Sequence, residues 1–252
     1  MVTDKDVVFL SKRIKELADR AFKSNIVTNT FFLNLNEQTV FFSIKNLPDI
    51  NYKLIGGYEA AERKVVCFFP VDFNEGEESD IFDYLYVSPA NEKFSDRLTH
   101  RDYLGAAMNL GIERNMIGDI IMSGNSAYII VLKKISWVVA DNLTNVKKTK
   151  VTIRIDKKLA VEAAAVNQIK RINTASLRID ALIAAVFNLS RGSASKYLDS
   201  ERVFVNSKCI LSHSLQVQPG NIISVRGIGR FKYLGEESIT KKGRLMASVE
   251  CY

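Results

Sequence analysis

The chain is short of the residues that build covalent or metal-held scaffolds. Its 252 residues include three cysteines and two histidines. Cys67, Cys209 and Cys251 are scattered, and no pair has the close spacing of a zinc site. An odd cysteine count without a framework argues against disulfides and fits a reducing compartment. His100 and His213 stand alone, so no metal and no cofactor is expected. Long apolar runs are missing too. None reaches the roughly 18–20 residues that cross a bilayer, and MVTDKDVVFL lacks the basic start and apolar centre of a secretory signal. A soluble cytoplasmic protein with no membrane partner is expected. No Gly-Ser tract and no internal repeat is visible.

Catalytic signatures are also absent. There is no G-x-x-x-x-G-K-[ST], and no G-x-G-x-x-G opening a helix after a strand. The lone Gly-x-Gly of "RGIGR" reads as loop flexibility. His100-Arg101-Asp102 looks like a kinase catalytic loop, but the required Asn and a DFG are missing, so it reads as a helix start. Nothing makes Glu62 and Arg63 an acid–base pair. The expectation is no enzyme and no small-molecule substrate.

What is present is charge, unevenly spread. Residues 1–144 hold 16 Lys and Arg against 20 Asp and Glu, while residues 145–252 hold 19 against 8. A half-chain with a surplus of eleven positive charges implies a polyanionic partner, most commonly nucleic acid. No long amphipathic helix gathers those charges, which disfavours an anionic membrane.

The predicted architecture is α+β in three small domains: an N-terminal α/β domain at 1–79, a βαββαβ domain at 80–156, a basic connector at 157–175 with an Ala-rich, helical middle, and a basic domain at 176–252. Residues 4–24 read as a helix, with Val7, Leu10, Ile14, Leu17, Ala18 and Ala21 on one face, capped by Thr3 or Asp4. "TFFLNLNEQTVFFSI" reads as strands. "LIGGYEAAERKVVCFFP" reads as a turn, a short helical piece and a strand, and the acidic "NEGEESD" (74–80) as the boundary. The second domain runs strand (80–87), helix (99–111, with Thr99 and Asp102 in capping-box spacing), strand (118–122), strand from 127, helix (136–143, capped by Ser136) and strand (150–155). This is the ferredoxin-like plan. Phe82, Tyr84, Tyr86 and Tyr128 share a face of its two central strands. They either stack bases or pack beneath the two helices.

In the basic domain, Ile179, Leu182, Ile183 and Val186 stripe a helix over 177–187, with Ser176 as its cap. Ser190 caps a second helix that buries Ala194, Tyr197 and Leu198. Its other side shows Arg191, Gly192, Ser195 and Lys196. A helix start offers unpaired N–H groups and partial positive charge. Ser190 and Ser193 add hydroxyls, Arg191 a two-pronged grip and Lys196 a point charge. "RVFVN" reads as a strand with Val203 and Val205 inward. "ILSHSLQV" continues as strand and connection, and "IISVRGIGRFKY" is a strand with a Gly-loosened loop. Arg226, Arg230 and Lys232 extend the cationic surface.

Two helices followed by Arg202-Val203-Phe204-Val205-Asn206 and Pro219-Gly220-Asn221-Ile222 resemble the S-four-type RNA-binding domain, or alpha-L motif. Leu177-Arg178-Ile179-Asp180 and Ser190-Arg191 match it as well. Glu201 stands where that family usually has Gly, and Asn206-Ser207 and Gly220-Asn221 where it has Asn-Gly and Gly-Asp turns. "GGYEAAERKVV" (56–66), "HRDYLGAAMNLGIERNMIGDI" (100–120) and "SVRGIGRF" (224–231) are similar to the bacterial YlmH family. That resemblance implies an RNA-binding protein on the large ribosomal subunit and its transfer RNA, linked to rescue of stalled translation. It implies a binding surface of Arg178, Ser190, Arg191, Ser193, Lys196, Arg202, Asn206, Lys208, Arg226, Arg230 and Lys232, with Asp180 holding its helix start. The alternatives are a protein-interaction adaptor linked to cell division and an RNA-modifying enzyme.

Overall fold

Apolar residues at three-and-four spacing wind α1 (Asp4–Ser24), which buries Ile14, Leu17, Ala18 and Ala21. The computed structural model describes residues 4–59, 61–70, 81–159, 168–240 and 243–251. Thr3, the acidic boundary at 74–80 and the Ala-rich middle of the connector therefore lie outside the described residues. The chain divides into two compact units, residues 1–165 and 166–252.

Unit 1 continues with β1 (Thr28–Asn29), α2 (Leu35–Ser43), β2 (Asn51–Ile55) and β3 (Val65–Phe69). The strands pair antiparallel in the order β1-β3-β2. The α2 segment corrects the strand reading of "TFFLNLNEQTVFFSI". Its aromatic and β-branched content suits a strand, but Asn34 and Glu37 form a capping box. The Asn34 side chain accepts from the Asn36 and Glu37 N–H groups, and Glu37 accepts from the Asn34 N–H at 2.7 Å. Three satisfied helix-start donors and the burial of Leu35, Gln38 and Phe41 outweigh intrinsic strand preference. The helical piece expected before β3 is turns and bends in its described residues.

Next come β4 (Phe82–Pro89), α3 (His100–Met108), β5 (Ile117–Ser123), β6 (Ser126–Leu132), α4 (Ser136–Asn142), β7 (Asn145–Val146) and β8 (Thr149–Asp156). The antiparallel order β5-β6-β4-β8-β7 places β4 and β6 side by side at the centre, as the βαββαβ reading requires. Asp102 closes the α3 start by accepting from the Thr99 N–H and hydroxyl at 2.8 and 2.6 Å. Ser136 is not the α4 cap; it is the first helical residue, and its hydroxyl donates to Lys133 O.

Strand alternation splits this sheet into two apolar faces. Leu85, Val87, Ala127, Ile129 and Val131 pack with Tyr103 of α3 and Val139 of α4. Phe82, Tyr84, Tyr128, Ile130 and Leu132 instead pack with Phe32 and Val65 of the N-terminal segment. Phe82, Tyr84 and Tyr128 are core, then, with Tyr86 half-buried beside them, but on the side away from the two helices. The first two sequence-defined domains share that core within one compact unit.

Unit 2 comprises β9 (Gln168–Thr174), α5 (Ile179–Val186), α6 (Arg191–Asp199), β10 (Val203–Val205), β11 (Lys208–Cys209), β12 (Ile222–Val225), β13 (Gly229–Ile239) and β14 (Leu245–Cys251). They form one antiparallel sheet, β11-β10-β12-β13-β14-β9. Residues 168–174 are thus a strand of this sheet rather than connector. The "ILSHSLQV" strand reduces to one bridge, Arg178 to Gln216. The Gly-loosened loop is a tight turn joining β12 to β13, so Arg230 and Lys232 lie in a strand. The core gathers Ile179, Leu182, Ile183 and Val186 of α5, Ala194 and Leu198 of α6, and Val203, Val205, Ile223, Phe231, Tyr233 and Val249 of the sheet. Each Val, Leu, Ile or Phe side chain among these contributes about 1.5–3 kcal/mol when fully buried.

Candidate nucleic-acid interface

Ser190 sits in extended conformation before α6 and accepts the Ser193 N–H at 3.0 Å. The Ser190 and Ser193 hydroxyls lie 2.8 Å apart. This cap starts a helix with Ala194 and Leu198 buried and Arg191, Gly192 and Lys196 exposed. Arg191 and Lys196 make no side-chain hydrogen bond or ion pair among the described residues. Small neighbours leave the helix start open to a bulky anion.

The turns around α6 decide where the remaining candidates point. Helix α5 ends at Asn188 in left-handed conformation, φ +53°, and Leu189 N–H bonds Ala184 O at 2.9 Å. Helix α6 ends the same way. Glu201 has φ +56°, its N–H bonds Leu198 O at 3.1 Å, and the Arg202 N–H bonds Tyr197 O at 2.9 Å. Those two bonds form a Schellman motif with Glu201 in the position glycine favours. The motif throws Arg202 back over α6, where its guanidinium lies 4.9 Å from the Tyr197 ring centroid and donates to Arg226 O at 2.6 Å. Gly227, at φ +90°, lets the turn pass beneath it; a Cβ there would collide with Arg202 Nη2. Loop flexibility is therefore not the role of this glycine.

Other candidates are anchored by the fold. Arg178, rather than Ser176, precedes α5, and its guanidinium grips Asp180 through two bonds of 3.1 and 3.0 Å. Asp180 also accepts the Ala181 N–H at 2.9 Å, holding the helix start. Asn206 and Ser207, with φ of +47° and +69°, make the two-residue β10–β11 turn. The Asn206 side-chain oxygen is taken by the Ile222 N–H at 2.9 Å. At the next turn Asn221 Oδ1 accepts the Gln218 N–H at 2.9 Å, an acceptor's role that a carboxylate fills equally well. Lys208 is exposed in β11.

Arg230 and Lys232 occupy a different surface from the α6 start. Their neighbours Phe231 and Tyr233 are core, so alternation turns them to the sheet face away from the helices. Arg226 is on that side too, its guanidinium 5.2 Å from the Phe204 ring centroid. The structure thus separates the candidates into a helix-start group, an anchored group around Arg202, and a sheet-face group. Tyr197 and Phe204, the rings beneath the Arg202 and Arg226 guanidinium groups, were not anticipated as site residues. One signal was legible: Phe204, between two inward valines, faces outward, and a buried outward aromatic ring requires a long side chain as cover.

In unit 1, two of the quoted motifs meet. Asp119, from "HRDYLGAAMNLGIERNMIGDI", accepts the Tyr58 hydroxyl at 2.8 Å and the N–H groups of Glu62 and Arg63 at 2.7 and 3.1 Å. The Arg63 guanidinium donates to Ile117 O and Phe32 O at 3.1 and 3.0 Å. Arg114 donates to Ile117 O and Gly118 O. Burial, then the adjacent Arg63 charge, lowers the Arg114 guanidinium to about 10, and it stays charged at neutral pH. Glu62 and Arg63 are part of a structural joint. Among the described residues, no three His, Cys, Asp or Glu groups gather to hold a metal ion, and no helix is long and apolar enough to cross a membrane.

Three comparisons bear on this chain. Residues 82–159 match a family model described as "Putative RNA-binding domain in YlmH". "Ribosome-associated protein quality control protein P2" of Bacillus subtilis (strain 168) is 32% identical over 226 residues, covering 88% of this chain and 86% of that protein. The solved structure of "Cell division protein ylmH from Streptococcus pneumoniae" is 22% identical, with a TM-score of 0.49, covering 62% of this chain and 93% of that one. With that identity sustained along most of both sequences, this chain belongs to the YlmH family.

Proposed function

We propose that the protein binds structured RNA, ribosomal or transfer RNA, on the large ribosomal subunit during rescue of stalled translation. The observation that carries this reading is the α6 start: a capped helix terminus whose exposed face pairs Arg191 and Lys196 with glycine and serine. Phosphate oxygens meet N–H groups, a fork-shaped cation and a point charge there, with no bulky side chain in the way. The surplus of positive charge in residues 145–252 supplies long-range attraction. The names of the matched family domain and of the Bacillus subtilis relative support an RNA partner and a ribosomal setting.

Arg202, seated over Tyr197 of α6, offers a second contact beside this face, while Arg226, over Phe204, offers one on the sheet face away from the helices. Arg178 and Asn206 serve the surface chiefly by shaping it, because their polar groups are engaged within the fold. Arg191→Ala combined with Lys196→Ala removes two phosphate contacts. The expected result is weaker binding to folded RNA and a log K against log salt slope shallower by roughly two, at about 0.9 per contact. Filter binding over a salt series measures both. Equal affinity and slope in the double variant remove the assignment of this helix. Co-sedimentation with large subunits through a gradient tests the ribosomal setting, and a protein that stays at the top at low salt rejects it.

A further inference from the structure

The N-terminal segment covers only part of the second face of the middle sheet. Tyr84 lies under the Gly57–Tyr58 turn, its hydroxyl donating to Gly57 O at 2.7 Å. One residue pair further along, the row Ile121–Tyr128–Tyr86–Arg154 crosses four strands. Tyr128 is buried, but Ile121 and Tyr86 are half-buried and the Arg154 side chain is 63% exposed. The Tyr86 and Tyr128 rings sit 4.8 Å apart. The Arg154 guanidinium lies 4.9 Å from the Tyr86 centroid, and Asp156 holds it with two bonds of 2.7 and 2.8 Å. An exposed arginine normally samples many rotamers. This one is clamped by a carboxylate and seated on a ring, so a flat, charged plane faces outward. The next pair along the two strands is Ser88 and Thr152, with hydroxyls 3.1 Å apart.

A fixed guanidinium plane with hydroxyls beside it has the chemistry of a nucleobase platform. The plane stacks on any base, and the hydroxyls donate to or accept from a base edge or a ribose 2′-OH. The open face is an antiparallel sheet, the surface on which single-stranded RNA is most readily splayed. We propose that the Tyr86–Arg154 plane binds an unpaired nucleobase of RNA, separately from the phosphate surface of α6. This rests on the reading that RNA is the partner and adds a second, chemically different contact.

The test uses the full chain with two probes: a ten-residue oligouridine carrying one 2-aminopurine, and a fully paired RNA hairpin. Arg154→Ala is expected to weaken oligonucleotide binding about fivefold or more and to abolish quenching of the 2-aminopurine, with hairpin binding unchanged. Arg154→Lys separates stacking from charge. It keeps the cation but loses the plane, and it is expected to behave like Arg154→Ala. Tyr86→Phe, which keeps the ring beneath the guanidinium, is expected to bind as the parent does. Full affinity and quenching in Arg154→Ala, or their retention in Arg154→Lys, overturns the platform. Neither result touches hairpin binding or its sensitivity to Arg191 and Lys196, which reports on the α6 surface alone. A thermal midpoint equal to that of the parent confirms that each variant is folded.

Discussion

At residue 201, α6 leaves its axis through a backbone conformation that glycine adopts freely and glutamate does not. With φ at +56°, the Glu201 Cβ crowds its own backbone at a cost of about 1 kcal/mol. Glu201→Gly is expected to stabilise unit 2 by about that amount, read as a higher urea midpoint. Asn188 occupies the equivalent position after α5, and asparagine tolerates it, so Asn188→Gly should gain only a few tenths of a kcal/mol. Equal gains at the two sites contradict the assignment of strain to Glu201. The sequence marked Glu201 as standing where the S-four-type domain usually has Gly, and the fold supplies the reason in its φ. Which way a side chain leaves a turn depends on the turn, and a Schellman ending is legible only when glycine announces it. Ser190 shows the opposite case. Its cap and the basic face behind it follow from spacing alone, because capping is decided within four residues.

Capping explains why α3 read correctly and α2 did not. Asp102 ties the start of α3 to Thr99, and Lys147 Nζ adds an ion pair at 2.8 Å. The bond from Lys147, then that from Thr99, holds the Asp102 carboxyl down at about 2. Unfolded, the same carboxyl titrates near 3.9. Its stabilising contribution is therefore complete above about pH 4 and disappears as pH falls toward 2. Asp102→Ala is expected to lower the urea midpoint at pH 6 and to converge with the parent at pH 2; a gap unchanged between the two pH values contradicts this. For α2 the same signal was present in Asn34 and Glu37 but was masked by the aromatic run around it. The βαββαβ order was legible because its elements are long and strongly periodic. The pairing of β9 with β14 was not, because an isolated basic stretch reveals nothing of its partner 77 residues onward.

Across the molecule, the first two of the three sequence-defined domains share one core within the unit of residues 1–165. The reason is Asp119 and the aromatic face beside it. Long-range polar joints of this kind carry no local period, so a string such as "GGYEAAERK" does not disclose its partner in sequence. Asp119→Ala leaves Tyr58 and the Glu62 and Arg63 N–H groups without their acceptor and is expected to destabilise unit 1 by about 2–3 kcal/mol. Hydrogen exchange should quicken across residues 52–69 and 117–132 and stay as it was in β10 to β14, whose core is their own. Faster exchange throughout both units contradicts the division. The strand order of unit 2 has a bearing on synthesis. Residues 168–174 leave the ribosome before Leu245–Cys251 and remain an unpaired strand until these follow, since among the described residues β14 is their only neighbour in the sheet. A nascent chain arrested between those two strands carries an open β edge. Appending residues 245–251 joins that strand, in a single pairing event, to the rest of the sheet.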